Sequence, residues 1–199
     1  GDIFAIGSCE DVLTSHNIDN VFDIRVIIKR NPVTGFLYTV PLSKTGHNNK
    51  FSKKMRIHIV CGGGSGGGFM RALLELGYKT STGVLDVIDS DCEVAEAFNM
   101  PIVCEAPFSP ITDENHQNNL NLIRNADIVL LTDVPFGYVN VRNLEAVMEA
   151  QKMGKKIVAI KGSPDKERDF VGGKADKILK QLKDQGVLIA QNYKDALSI

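Results

Sequence analysis

The sequence predicts an α/β fold: an open, mostly parallel Rossmann-like sheet with helices on both faces, preceded by a small β-rich N-terminal appendage. Three observations carry that expectation. From residue 55 onward, apolar β-branched runs alternate with amphipathic helical stretches, the pattern of strands buried on both faces and joined by helical crossovers. The first of these runs, Ile57-His58-Ile59-Val60-Cys61, feeds directly into Gly62-Gly63-Gly64-Ser65-Gly66-Gly67-Gly68 and then into a helical stretch. Residues 1–53 lack the strand-helix repeat and hold an alternating run closed by a Pro-Gly turn.

In the appendage, Asp2–Ile6 reads as a short strand, Cys9–Leu13 as a helical turn, and Ser15 as a cap for the stretch around Asn17–Val21. Phe22–Lys29 alternates as a strand. Asn31-Pro32-Val33-Thr34-Gly35 is a turn, and Phe36–Val40 returns as its partner. A hairpin of this size has little core of its own, so a covering surface is expected. The polar stretch Ser43–Lys50 reads as a linker to the region 55–199.

In that region, strands are expected at Arg56–Cys61, Tyr78–Val87, Ile102–Cys104, Asp127–Thr132, Lys156–Ile160 and Val187–Ala190. Helices are expected near Gly68–Leu76, Asp91–Phe98, Asp113–Asn125, Val141–Met153 and Lys174–Asp184. Their apolar stripes (Phe69, Leu73 and Leu76; Leu144, Val147 and Met148; Ile178, Leu179 and Leu182) follow the helical period and read as core faces.

A length of 199 residues suits one domain with an appendage. A net charge of -1 removes any global electrostatic case for nucleic acid or an anionic membrane surface. No apolar run is long enough to span a bilayer, and no signal peptide is visible. The chain opens on Gly1 rather than Met and reads as a fragment. Cys9, Cys61, Cys92 and Cys104 form no CxxC pair, which disfavours structural zinc and favours buried free thiols in a reducing cytoplasm.

Ligands of such sheets sit beyond the carboxyl ends of the strands, so candidate residues are sought there. Gly62, Gly63, Gly64, Ser65, Gly66, Gly67 and Gly68 form the strongest candidate. Backbone amides without a Cβ in the way converge on an anion, and the following helix adds its N-terminal amides and dipole. No Lys-Ser/Thr pair follows, so the run is not a Walker A loop. Asp86 and Asp89 are candidates for a ribose hydroxyl or for capping the next helix. After the later strands, Glu105 reads as a ligand, an acid/base group or a plain surface carboxylate. Asp133, Pro135, Phe136, Gly137 and Tyr138 read as a ligand wall, or Phe136 as a plug for the sheet end. Lys161 and Arg168 suit a phosphate or serve as ordinary surface charges. Acid/base chemistry would fall to Asp86, Glu105 or Asp133. The four histidines are not placed at strand ends: His58 is expected inside a strand and His116 facing solvent. No catalytic triad and no metal cluster are expected.

Two family resemblances follow from these residues. The segment Gly1-Asp2-Ile3-Phe4-Ala5-Ile6-Gly7-Ser8-Cys9-Glu10-Asp11-Val12-Leu13, with Val21-Phe22-Asp23-Ile24 and Asn31-Pro32-Val33-Thr34-Gly35, resembles the C-terminal end of ATP-binding subunits of iron-siderophore and cobalamin ABC importers. Walker A, signature and Walker B segments have no counterpart here, so the resemblance implies a piece of such a subunit that does not itself hydrolyse ATP. It further implies importer membrane subunits as partners, a homodimer, and a cytoplasmic position at the inner face of the membrane. The run from Ile59 to Met70 is similar to the first glycine loop of the lysine-decarboxylase-like family of Rossmann-like nucleotide-binding proteins, which includes phosphoribohydrolases. That family's second motif, P-G-G-x-G-T-x-x-E, is replaced by Pro135-Phe136-Gly137-Tyr138-Val139-Asn140-Val141-Arg142-Asn143. This similarity implies nucleotide or phosphate binding at residues 62–68 and 135–137 without the glutamate that hydrolysis uses. The expected function is a regulatory domain of an importer ATPase that binds a phosphate-bearing small molecule. The alternatives are a nucleotide or sugar-phosphate hydrolase and a dimerisation module without ligand.

Overall fold

The computed structural model describes residues 1–41 and 55–198. The chain divides into two compact units, residues 1–50 and 51–199. The expected linker at Ser43–Lys50, with His47, lies outside the described residues.

The first unit holds helices α1 (Cys9–Val12) and α2 (Ser15–Phe22) and the antiparallel strands β1 (Val26–Arg30) and β2 (Leu37–Pro41). Ser8 caps α1 through a reciprocal bond pair with Asp11. Thr14, not Ser15, caps α2, its hydroxyl accepting from the Asn17 amide at 3.1 Å. Two expectations are corrected. Asp2–Ile6 forms no strand. Phe22 closes α2 instead of opening the hairpin, because Asp23 turns left-handed at φ 52° and ends the helix there. The Asn31 side chain accepts from the Val33 and Thr34 amides and builds the expected turn. Val26 is the one buried apolar residue of this unit among those described, while Ile3, Phe4, Ile6, Phe22 and Phe36 are all exposed.

The second unit is a six-stranded, all-parallel sheet: β3 (Arg56–Val60), β4 (Lys79–Asp86), β5 (Ile102–Glu105), β6 (Ile128–Leu131), β7 (Lys156–Ile160) and β8 (Leu188–Ala190). Its order is β5-β4-β3-β6-β7-β8. The helices are α3 (Gly67–Glu75), α4 (Ser90–Ala97), α5 (Asp113–Arg124), α6 (Arg142–Lys152), α7 (Lys174–Asp184) and α8 (Tyr193–Ser198), with a 3-10 turn at Asp165–Arg168. The open α/β sheet with a small two-stranded appendage is the fold the sequence predicts.

Strand alternation sorts the core into two layers. Ile57, Ile59, Cys61, Ile128, Leu130, Val158 and Ile160 pack with Met70, Leu73, Cys92 and Ala95 from α3 and α4. Val60, Val129, Leu131, Ile157 and Ala159 face the other way, onto Leu120, Leu144, Val147, Leu179 and Leu182 from α5, α6 and α7. The α3 stripe is shifted from expectation: Met70 and Leu73 are buried, but Leu76 is exposed. At an irregularity in the β4–β5 pairing, the Asn143 side chain of α6 pairs with both the N–H (3.0 Å) and C=O (2.9 Å) of Val84. That supplies the ladder bonds the irregularity removes.

This strand order places a switch point at β3. The chain leaves β3 through α3 toward β4 and later crosses back to β6 on its other side. The crevice beyond the carboxyl ends of β3 and β6 is where such sheets take ligands.

Candidate functional site at the β3–β6 crevice

The glycine run turns the chain from β3 into α3 at this crevice. Gly64 has φ 80°, a conformation a Cβ disfavours. A Cβ on Gly66 would overlap the Cys61 side chain, so the run also lets the turn lie tightly on the strand end.

Anionic groups from the protein itself already meet this turn. Asp91 of α4, buried, accepts from the Gly66 amide at 2.9 Å and the Gly67 amide at 2.8 Å. Asp89 accepts from the Gly63 amide at 2.7 Å and caps α4 through the Asp91 amide at 2.9 Å. The helix dipole and its first amides favour negative charge, and here two carboxylates supply it. Ser65 is engaged internally: its Oγ lies 2.8 Å from the Gly62 carbonyl and 2.8 Å from Thr132 Oγ1 at the end of β6. That hydroxyl pair ties the two strand ends together across the crevice. The amides of Gly64 and Gly68, both exposed, have no protein acceptor among the described residues. The turn is thus an inner half satisfied by Asp89 and Asp91 and an outer rim with two open donors. Asp91 was not among the residues nominated from the sequence. Two acids opening the helix after the strand beside β3 are the only sequence signal for it.

Thr132, Asp133 and Val134 share the crevice with the glycine turn, and Val134 would touch a Cβ placed on Gly62. Asp133 accepts from the Ser163 amide (2.9 Å) and hydroxyl (3.0 Å) and pairs with Arg168 at 3.4 Å. Arg168 is buried, and its guanidinium donates to the carbonyls of Val134 (3.1 Å) and Thr132 (2.8 Å). Burial pushes its pKa down from the usual arginine value, while the nearby Asp133 and Asp165 push it up. Phe136 is knitted to the 3-10 turn and the residues after it: its N–H donates to Arg168 O at 2.7 Å, and Phe170 N–H donates to Phe136 O at 2.9 Å. Pro135 and Gly137 are held by Asn140 instead, whose side-chain amide donates to Pro135 O at 3.0 Å and accepts from the Gly137 N–H at 2.8 Å. Phe136 is fully buried beneath the Arg168 guanidinium, 5.5 Å from its ring centre. It plugs the sheet end. Tyr138 is the exposed aromatic of this loop.

Asp86 lies at the end of β4, accepting from the Ile88 and Phe108 amides at 3.0 and 2.8 Å. Both oxygens therefore hold loops. Glu105 accepts from the Thr112 amide and hydroxyl and from the Asn115 side chain, each at 2.9 Å. The Thr112 amide and then the Asn115 amide group hold its pKa at about 2, so it is a fixed carboxylate at neutral pH. His58 is buried in β3 as expected, and burial holds its pKa near 4. His116, expected at the surface, is buried against Glu149 of α6 at 3.3 Å. Of the four thiols, all free, Cys61 and Cys92 are buried, Cys104 half-buried and Cys9 exposed. No group of three or more metal-binding side chains occurs among the described residues. No helix of the described residues is long and apolar enough to cross a membrane.

The MJ0874 family model matches residues 80–197, from β4 to α8. The chain belongs to the MJ0874 family. It is 32% identical over 75 residues to the uncharacterized protein MJ0874 of Methanocaldococcus jannaschii, covering 81% of that protein and 38% of this chain. The family match takes in Asp86, Asp89, Asp91, Asp133 and Phe136 but begins after the glycine run. The chain is also 30% identical over 113 residues to the cobalamin import ATP-binding protein BtuD of Halobacterium salinarum, covering 57% of this chain and 28% of that protein. The chain thus spans little more than a quarter of that relative's length. Among solved structures, a short-chain dehydrogenase/reductase of Serratia marcescens superposes with a TM-score of 0.42 at 15% identity, over 70% of this chain and 72% of the other. DNA processing protein A of Streptococcus pneumoniae gives 0.43 at 13%, over 73% and 62%.

Proposed function

We propose that this chain is an accessory segment of an ABC importer ATP-binding subunit for an iron chelate or cobalamin, and that its α/β unit is a regulatory domain binding a phosphate-bearing small molecule. One observation carries the importer reading. The 113 residues matched to the halobacterial ATP-binding protein are more than twice the 50 of the first unit, so the match runs well into the α/β unit. The likeness is not confined to the appendage, where the family resemblance in the sequence lies. The appendage's exposed apolar side chains support its membership in a larger subunit, with a second copy and the membrane subunits as partners.

The ligand reading rests on the rim of the glycine turn. The Gly64 and Gly68 amides are open donors at a helix N-terminus, beside a crevice between two strand ends. Asp89 and Asp91 flank them and repel extra negative charge. A singly charged phosphodiester therefore suits this rim better than a doubly charged monoester. Glu105 and Asp133 are both tied to amides and hydroxyls, which supports binding without turnover.

A thermal-shift screen of the chain with dinucleotides, nucleoside monophosphates, sugar phosphates and corrinoids tests the reading. The expected result is a saturable rise in Tm with a phosphodiester ligand, a smaller rise with the matching monoester, and no product on incubation. The absence of any shift across the panel would remove the ligand reading, and release of base or phosphate would replace it with the hydrolase.

A further inference from the structure

A second cavity, of about 390 Å³, opens at the carboxyl ends of β7 and β8 beneath α7 and the 3-10 turn. It shares no lining residue with the glycine turn, and all of its lining falls within the family match. Its size lies in the range of small-molecule sites, roughly 300–1,000 Å³. Leu131, Ala159, Leu179 and Leu182 give it an apolar floor and wall, with the exposed Ile189 at its rim.

The charges at its mouth do not cancel. Lys183 places its ammonium on both oxygens of Asp165, at 2.8 and 2.6 Å, and the pair is neutral. The Arg168 guanidinium is balanced by Asp133 and turned onto two backbone carbonyls. Lys161 is exposed and lines the cavity, and its side chain has no hydrogen-bond or ion-pair partner among the described residues. One uncompensated cation over an apolar cavity matches one kind of ligand: a body without polar groups carrying a single negative charge.

We propose that this cavity binds a small amphipathic monoanion, such as an aliphatic or aromatic monocarboxylate, with its apolar body against Leu179 and Leu182 and its carboxylate at Lys161. The proposal stands independently of the importer reading.

Calorimetric titration of the whole chain with octanoate, octanol and octylamine tests it. The expected order of affinity is octanoate, then octanol, then octylamine. Shortening octanoate to hexanoate weakens binding about fourfold per methylene removed. Lys161→Glu, a change at an exposed position, reverses the order of octanoate and octylamine. Ile189→Trp, which fills the cavity from its rim, weakens all three at least tenfold. Equal binding of octanoate and octylamine, an order unchanged in Lys161→Glu, an Ile189→Trp variant that binds as before, or no binding at all would each overturn the proposal. The unaffected Ile189→Trp result would place the amphiphile on the exposed apolar surface elsewhere.

Discussion

Asp91 holds both amides at the start of α3, and nothing else in the described structure reaches them. Replacing it with alanine leaves two buried N–H groups without acceptors, at about 1–3 kcal/mol each. Asp91→Ala is expected to lose about 3 kcal/mol in urea unfolding at neutral pH. Millimolar sulfate or phosphate restores part of that loss and stabilises the variant more than the parent, because the emptied position then accepts an exogenous anion. Equal stabilisation of the two proteins by sulfate would leave only a general salt effect. The pH dependence of stability belongs to other residues: His58 in the upper range, and Glu105 in the acid range together with Glu10, Asp11 and Asp169, whose carboxyls are also held below their ordinary pKa by hydrogen bonds. Glu105 has its folded pKa lowered from 4.5 to about 2, so its contribution is present above pH 4.5 and is lost as pH falls toward 2. His58 is lowered from 6.5 to about 4, which favours the neutral ring. Its contribution is present above pH 6.5 and fades as pH falls to about 4. Unfolding free energies measured from pH 7 to pH 2 are expected to fall in two windows, 6.5 to 4 and 4.5 to 2. Glu105→Gln shrinks the lower window, to which Glu10, Asp11 and Asp169 still contribute, and leaves the upper one.

At the scale of elements, the glycines of one turn have opposite roles. A Cβ on Gly66 meets the Cys61 side chain, whereas one on Gly68 meets open space inside the first turn of α3. Gly66→Ala is expected to destabilise by about 1–3 kcal/mol through overpacking. Gly68→Ala is expected to be neutral or to stabilise by about 0.4–1 kcal/mol by restricting the unfolded chain. Chemical denaturation of the two variants side by side measures the contrast. The sequence showed the run but not this division, because Asp89 and Asp91 reach it from more than twenty residues away. Strands were legible because Ile57, Ile59 and Cys61 alternate with His58 and Val60, and the alternation maps onto the two core layers. Helix faces were less so. Leu76 keeps the period of Phe69 and Leu73 but falls at the C-cap of α3, where the next turn exposes it. His116 lies on a largely polar helix, but at the i, i+4, i+7 spacing of Leu120 and Ile123, the face that is buried and brings it against Glu149 of α6. In the first unit, β-branched residues around Phe22 suggested a strand start, but Asp23 adopts a left-handed conformation after a capped helix, and the strand begins only at Val26.

At the scale of the whole molecule, a regular α/β unit accompanies an appendage with one buried apolar residue among those described. The β5-β4-β3-β6-β7-β8 order puts the glycine turn at the switch point. Both features follow from patterning that the sequence displays. The carboxylates that fill the inner half of the turn are tertiary, and they change the expected site from a full phosphate cradle to a rim of two amides. The most direct measurement of that claim compares phosphodiester affinity in the intact chain and in Gly68→Pro. Proline at Gly68, the second residue of α3, removes its N–H donor; because proline also disfavours the helical conformation of Gly67, Gly68→Ala, which keeps the donor, is measured beside it. One lost hydrogen bond to a charged group predicts binding weaker by about 10- to 100-fold in Gly68→Pro and unchanged in Gly68→Ala. Phosphodiester binding of equal strength in the intact chain and in Gly68→Pro would contradict the account.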